Sequence, residues 1–456
     1  MPLPLTLALV LAAQGLQEPP PVTTGTDASS AVRLQLSGHL DLHYLDRSPA
    51  IEDAGAQLNQ LAPGVAGSST QWSGRVSLRA DIEVKDLVSG VIELENRSFE
   101  NGINKPFAAV PPDAGTDIKQ GYIEVGQFLA PELNVRVGVQ DVTFRNRPQD
   151  EPFFMDLGES EPFSMGYHSA GRFVSNTVDR TITQPVGVRV FYAPAEVATI
   201  QAFWMVTQEL GGTSQDEAVY GLVANTLVAE NWSTWILATA VHGASTVDPM
   251  GTIGTVGAGV DGYFGSSKDL ELFAEVYGQG GTLVHAPAAV HKEAYAFNAG
   301  ARYLGFFEHK LWVEAAVSRR SGDRHAGDDH DQAFQSYENV NRFVILESSE
   351  FGLDVDTNVS QVRMAVGAGP FDVSGRPLRV QLDVGHFAAV APVETAPAAG
   401  NDRQWGTETD LLFTWSYNPS LAFSLKGAWL ADSELLRDLG GENHAFTVVF
   451  GADLRF

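Results

Sequence analysis

The chain has 456 residues, no cysteine and a formal net charge of −27, from 29 Lys+Arg against 56 Asp+Glu. The missing thiols exclude a disulfide scaffold and a thiolate metal site. The acidic balance leaves no basic footprint for sequence-independent nucleic-acid binding, and mean hydropathy is near neutral at −0.06.

Residues 1–15 read as a secretory signal peptide: Leu3, Leu5, Leu7, Leu9, Val10 and Leu11 form a short apolar core ahead of Ala12-Ala13, too short to cross a bilayer as a helix. No Lys or Arg precedes that core, which points to a start upstream of Met1. Residues 16–30, with Pro19-Pro20-Pro21, read as a flexible periplasmic lead-in, and 31–456 as one domain.

The first strand is expected over about Val32–Tyr44. There Val32, Leu34, Leu36, Leu40 and Leu42 alternate with Arg33, Gln35, Ser37, His39, Asp41 and His43, a period of two that no helical stripe fits. A second strand runs over about Trp72–Val84 and turns at Lys85-Asp86 into a third that ends near Arg97. Strands near Asp117–Phe128 and Glu132–Phe144 meet at Ala130-Pro131. Short connections recur near Pro194-Ala195, Asn231, Ser266-Ser267, Glu308-His309, Pro370–Gly375 and Asn418-Pro419. Longer insertions alternate with them: Arg145–Gln184, Gln208–Gln215, Gly243–Met250, Gln279–His291, Ser321–Asp354, Ala389–Asp402 and Asp432–Asn443. In the last strand Phe446, Val448, Phe450, Ala452, Leu454 and Phe456 share one face.

The count comes to about eighteen strands. Apolar faces set against polar faces, with short turns at one end and long loops at the other, define an all-β class: a transmembrane antiparallel β-barrel in the bacterial outer membrane, with short periplasmic turns and long extracellular loops. Trp232, Trp235, Phe264, Phe306, Phe307, Trp415, Tyr417 and Trp429 lie near strand ends, where interfacial girdles sit.

The stretches Trp72–Phe99, Tyr122–Phe144 and Val186–Trp204 resemble the alginate-export family of outer-membrane porins, most clearly in Val135-Arg136-Val137-Gly138-Val139-Gln140-Asp141-Val142 and Gly187-Val188-Arg189. Val139 stands where the family often carries an Arg. The resemblance covers roughly the first half of the chain. It implies an eighteen-stranded barrel, usually monomeric, and hints at carbohydrate or uronate traffic without naming the solute.

Alternation places Arg75, Arg79, Asp81, Glu83, Glu93, Glu95, Arg97, Arg136, Arg189, Arg379, Asp383 and Lys426 on the lumen face, joined by Glu408, Asp410, Asp453 and Arg455. Such charges either set ion preference in a confined bore or pair across strands to stiffen the wall. The insertion Arg145–Gln184 is the expected constriction loop. It combines Phe153, Phe154, Phe163, Tyr167 and Phe173 with Arg145, Arg147, Arg172 and Arg180 against Asp150, Glu151, Asp156, Glu159 and Glu161. Ser321–Asp354 reads as a solvated acidic loop, with His325, Asp328, Asp329, His330 and Asp331 as weak metal candidates of no established spacing.

No nucleophile elbow, P-loop, H-E-x-x-H or dinucleotide fingerprint occurs, so neither catalysis nor a cofactor is expected. The expected role is passive passage of small hydrophilic solutes or oligosaccharides, by a monomer that meets outer-membrane lipid and the outer-membrane assembly machinery. Two other classes stand beside it: a plugged structural or adhesive barrel whose acidic loops bind ions or glycans, and a membrane-embedded enzyme.

Overall fold

A computed structural model describes residues 32–48, 50–51, 65–66, 69–84, 87–96, 116–140, 186–195, 198–208, 215–229, 231–244, 251–265, 267–285, 288–306, 310–324, 328–334, 342–347, 357–391, 404–438 and 443–456. The proposed signal peptide and lead-in lie outside the described residues.

Eighteen strands form the wall. They are β1 (Val32–Ser48), β2 (Ser69–Val84), β3 (Val88–Asn96), β4 (Thr116–Val125), β5 (Leu133–Val139), β6 (Val186–Ala195), β7 (Ala198–Gln208), β8 (Gln215–Ala229) and β9 (Trp232–Ala244), followed by β10 (Thr252–Phe264), β11 (Leu270–His285), β12 (Ala288–Phe306), β13 (Leu311–Arg320), β14 (Val359–Asp372), β15 (Pro377–Ala389), β16 (Gln404–Asn418), β17 (Leu421–Ala431) and β18 (Ala445–Arg455). Each pairs antiparallel with its sequence neighbours, and β1 also pairs with β18, so the sheet closes on itself. Closure satisfies both backbone ladders of every strand, which a bilayer interior demands.

The seam is tight. Gly38 N–H donates to Phe456 O at 2.6 Å and Phe456 N–H to Gly38 O at 3.0 Å. The Phe456 ring lies where a side chain on Gly38 would stand.

Alternation decides the two faces. Leu36, Leu78, Ile92, Ile123, Leu222, Ile236, Val256, Val276, Val362, Met364 and Phe446 are large apolar residues left exposed on the outside. In a water-soluble protein so much exposed apolar surface would be a liability; on a barrel wall it faces lipid. Phe264, Phe306 and Trp429 are exposed near strand ends, and Trp415 packs with Tyr417 and Phe423 at the short-turn end, as a girdle requires. Trp235 departs from that expectation. It stands opposite Asn225 and Gly259, on the inner face, and is buried against Tyr277. Its parity, fixed by the ladder, overrides its closeness to a strand end. Phe307 lies outside the described residues.

One expected loop is absent as such. Instead of an insertion over Gln279–His291, β11 and β12 stay paired from Leu270–Tyr303 to His285–Ala288, with two residues between them. Glycine, alanine and polar side chains there weaken the apolar alternation, but the backbone ladder continues past it. A two-residue strand, His330–Asp331, adds in parallel to His291 and Lys292 of β12. Inward glycines repeatedly face inward aromatics on the next strand: Gly221 lies under Phe203, Gly257 under Tyr277, Gly259 under Trp235 and Gly367 under Trp312. The missing Cβ lets the ring lie flat on the wall, a device that pins register.

Candidate functional site

Much of the inner face is polar, and many of its charges are paired. Arg79 bonds Asp81 at 2.8 Å and approaches Glu93 at 3.5 Å. Arg136 meets Glu124 at 2.6 Å and stacks on Tyr122 at 4.1 Å. Arg189, opposite Arg136 in the ladder, stacks on Phe191 at 4.3 Å and donates to Gln201 at 2.5 Å. His39 and Arg455 flank Asp453 at 3.1 and 3.2 Å. These are cross-strand or i,i+2 neighbours on one face, the spacing at which strand charges meet.

The ladder gives the neighbours of the other described residues expected on the lumen face. Asp383 faces Asp410 in the ladder and Glu408 faces Gly385. Lys426 stands opposite Val449 and Leu412, Glu83 opposite Ser89, and Glu95 opposite Ser77. Arg379 pairs with Thr414 near the short-turn end and is exposed. Arg75 is opposite Asp41 in backbone register. Arg97 lies outside the described residues, as do Arg145, Arg147, Asp150, Glu151, Asp156, Arg172 and Arg180 of the expected constriction loop.

Among the described residues, a segment from another connection lies inside the bore. Residues 342–347, from the connection between β13 and β14, lie within the barrel, with 343–347 buried and Phe343 and Leu346 both at 0% exposure. The region expected to be a solvated acidic loop thus carries an internal strap. The reason is the apolar run Phe343-Val344-Ile345-Leu346, which costs free energy in water and packs here with Val359, Phe387, Trp405, Leu430 and Val449. Leu436 joins this cluster from α1 (Glu434–Asp438), a short helix between β17 and β18 capped by Ser433.

Buried backbone N–H groups need acceptors. Wall carboxylates supply them: Val344 N–H donates to Asp410 at 2.9 Å, and Ile345 and Leu346 N–H donate to the two oxygens of Glu408 at 2.6 and 2.9 Å. Arg342 bridges Glu314 and Asp383, both at 2.7 Å, and Lys426 donates to Arg342 O at 3.1 Å. Glu347 accepts from Arg342 N–H, Phe343 N–H and Gln361. Glu314 also takes Arg302 at 2.7 Å and Arg363 at 3.1 Å. Sequence reading missed Glu314, Arg302, Arg342 and Arg363. Parity on β12, β13 and β14 carries the signal for three of them, and for Arg342 the signal is its place beside an apolar run in an otherwise polar insertion.

A second apolar cluster fills the inner face of β7–β12. Phe203, Met205, Val219, Val223, Trp235, Leu237, Val241 and Tyr277 are buried there together with Phe334, which the described stretch 328–334 brings in from the same connection. In that stretch Asp331 is bound to the buried Lys292 at 2.9 Å, and Asp328 accepts from His330 N–H at 2.8 Å. His330 comes no nearer than 3.6 Å to Glu293 and 3.7 Å to Asp329. Among the described residues no group of three or more His, Cys, Asp or Glu could hold a metal ion; His325 lies outside them.

At the short-turn end of β1–β5 the bore opens into a cavity of about 620 Å³ lined by Arg33, Arg79, Asp81, Glu83, Tyr122 and Glu124, among others.

A closed, even-stranded antiparallel barrel with an apolar exterior and a charge-paired interior is a transmembrane β-barrel of the bacterial outer-membrane kind. Solved structures share that fold. Acinetobacter baumannii OccAB2 matches with a TM-score of 0.54 and 10% sequence identity over 93% of this chain and 98% of its own. Pseudomonas aeruginosa OccK11 (OpdR) matches with a TM-score of 0.52 and 10% identity over 93% and 96%, and Pseudomonas aeruginosa OpdQ with 0.52 and 12% over 93% and 97%. No protein-family model and no curated protein matches the chain.

Proposed function

We propose that the protein is an outer-membrane channel that lets small hydrophilic solutes or oligosaccharides pass by diffusion. One observation carries this: a closed eighteen-strand wall, apolar outside, encloses a face lined with Arg79, Arg136, Arg189, Asp383 and Lys426. Charged groups inside a barrel escape the cost of desolvation where the bore holds water. The likeness to OccAB2 and OccK11 supports the fold on which this reading rests. In it the short turns face the periplasm and the barrel works as a monomer. The strap 342–347 is the selective narrowing, and the lumen charges set ion preference. The alginate-export resemblance of Val135–Val142 and Gly187–Arg189 belongs to the same proposal. The reading assigns no catalytic residue.

Single-channel conductance of refolded protein in a planar bilayer tests it. Steady current with a reversal potential displaced in a salt gradient is expected. The buried strap favours a second reading, a plugged barrel, and folded protein that passes no current would establish that one instead.

A further inference from the structure

The cavity at the short-turn end has a chemistry of its own. Three arginines and three carboxylates meet there in closed pairs: Arg33–Glu83 at 2.8 Å, Arg79–Asp81 at 2.8 Å and Arg136–Glu124 at 2.6 Å. Five of the six line the cavity, and Arg136 is tied to the lining Glu124. Three positive charges against three negative leave no net charge. Glu93, 3.5 Å from Arg79 but not itself in the lining, adds a nearby negative charge that disfavours anions. A carboxylate entering the cavity would have to displace a wall carboxylate or sit beside it, and a cation meets the same difficulty at the guanidinium groups.

We propose that this cavity is a binding subsite for neutral, polyhydroxylated solutes, of the size of a mono- or disaccharide. This rests on the channel reading for its place in a solute path. A guanidinium held along one edge keeps further N–H donors, and a carboxylate keeps lone pairs after one bond. A wall of such pairs offers donors and acceptors side by side, which suits hydroxyl groups that both give and take. Leu87 supplies exposed apolar surface within the same lining, beside Tyr122, whose ring carries Arg136 over one face; apolar surface next to such pairs suits the C–H face of a sugar ring. The volume falls in the range of ~300–1,000 Å³ usual for small-molecule sites.

Isothermal titration of the refolded full-length protein with maltose and with the dianionic digalacturonate tests the assignment, with single-channel conductance measured on the same preparation. Saturable binding of maltose, at least tenfold tighter than that of digalacturonate, is expected. The triple variant Asp81→Asn/Glu83→Gln/Glu124→Gln removes three wall carboxylate charges while keeping the guanidinium groups, and should reverse the preference tenfold or more. If the triple variant does not fold, Glu83→Gln alone, at the most exposed pair, should move the ratio in the same direction. Tighter binding of digalacturonate by the unmodified protein, no saturable binding of maltose, or an unmoved ratio in a folded variant overturns the subsite. Intact conductance without maltose binding leaves the channel and removes the subsite; maltose binding without conductance does the reverse.

Discussion

The backbone N–H of Ile345 donates to Glu408 Oε1 at 2.6 Å, so the strap inside the bore hangs from the wall by a carboxylate as well as by apolar packing. Glu408 is fully buried and takes Leu346 N–H with its other oxygen. Glu408→Ala removes both acceptors, and each orphaned N–H costs about 1–3 kcal/mol. We expect a lower unfolding temperature and a larger single-channel conductance. An unchanged conductance would mean that the strap does not limit ion flow.

Arg342 is the electrostatic half of the same anchor. Removing one member of a buried charge pair costs about 3–5 kcal/mol, because the partner is left uncompensated. In Arg342→Ala, Asp383 loses its guanidinium while Glu314 keeps Arg302 and Arg363. The bore then gains net negative charge, and the reversal potential should move toward cation preference. Arg342→Lys keeps the charge but not the fork, so its shift should be smaller.

Arg136 and Arg189 are ladder partners of like charge. They tolerate each other because Glu124, Gln201 and the rings of Tyr122 and Phe191 surround them. Arg136→Ala and Arg189→Ala should each raise cation selectivity, and the double variant more than either. The reversal potential across a salt gradient measures this; no shift would make the two arginines structural.

Gly259 leaves room for Trp235, whose ring atoms lie 2.4 Å from where a Cβ on Gly259 would stand. Gly259→Val forces the ring off the wall, with an overpacking cost of about 1–3 kcal/mol. The tryptophan emission spectrum and the unfolding temperature should both change, whereas Gly427→Ala, with open space around it, should leave the emission alone.

Ile236 is 62% exposed on the outer face of β9. Ile236→Arg should cost roughly 2–4 kcal/mol if it sits near the bilayer midplane, read as lower folding yield into lipid vesicles. Thr239→Ser, on the inner face of the same strand, should fold as the unmodified chain does.

The wall was the most legible part of the sequence, because a strand half in lipid and half in water writes its period directly into the residues. Eighteen strands and the parity of Arg79, Arg136, Arg189 and Asp383 follow from alternation alone. The strap was not legible in this way. Phe343 to Leu346 is a four-residue apolar run without period, and nothing local says that it packs against Phe387 and Leu430, more than forty and eighty residues on. Trp235 misled for a related reason: closeness to a strand end suggests an interface, while only the register with Gly259 says which way the ring points. The extended hairpin of β11 and β12 was hidden by small residues that the backbone ladder tolerates.

The mutual hydrogen bonds of Gly38 and Phe456 bear on how the molecule holds together in time. A sheet sewn shut by β1 and β18 leaves no ladder open. Taking out any one strand bares two edges at once, in a medium that offers them no other partners. The ring is therefore a single cooperative unit, in which β1 and β18 each depend on the other for a paired edge.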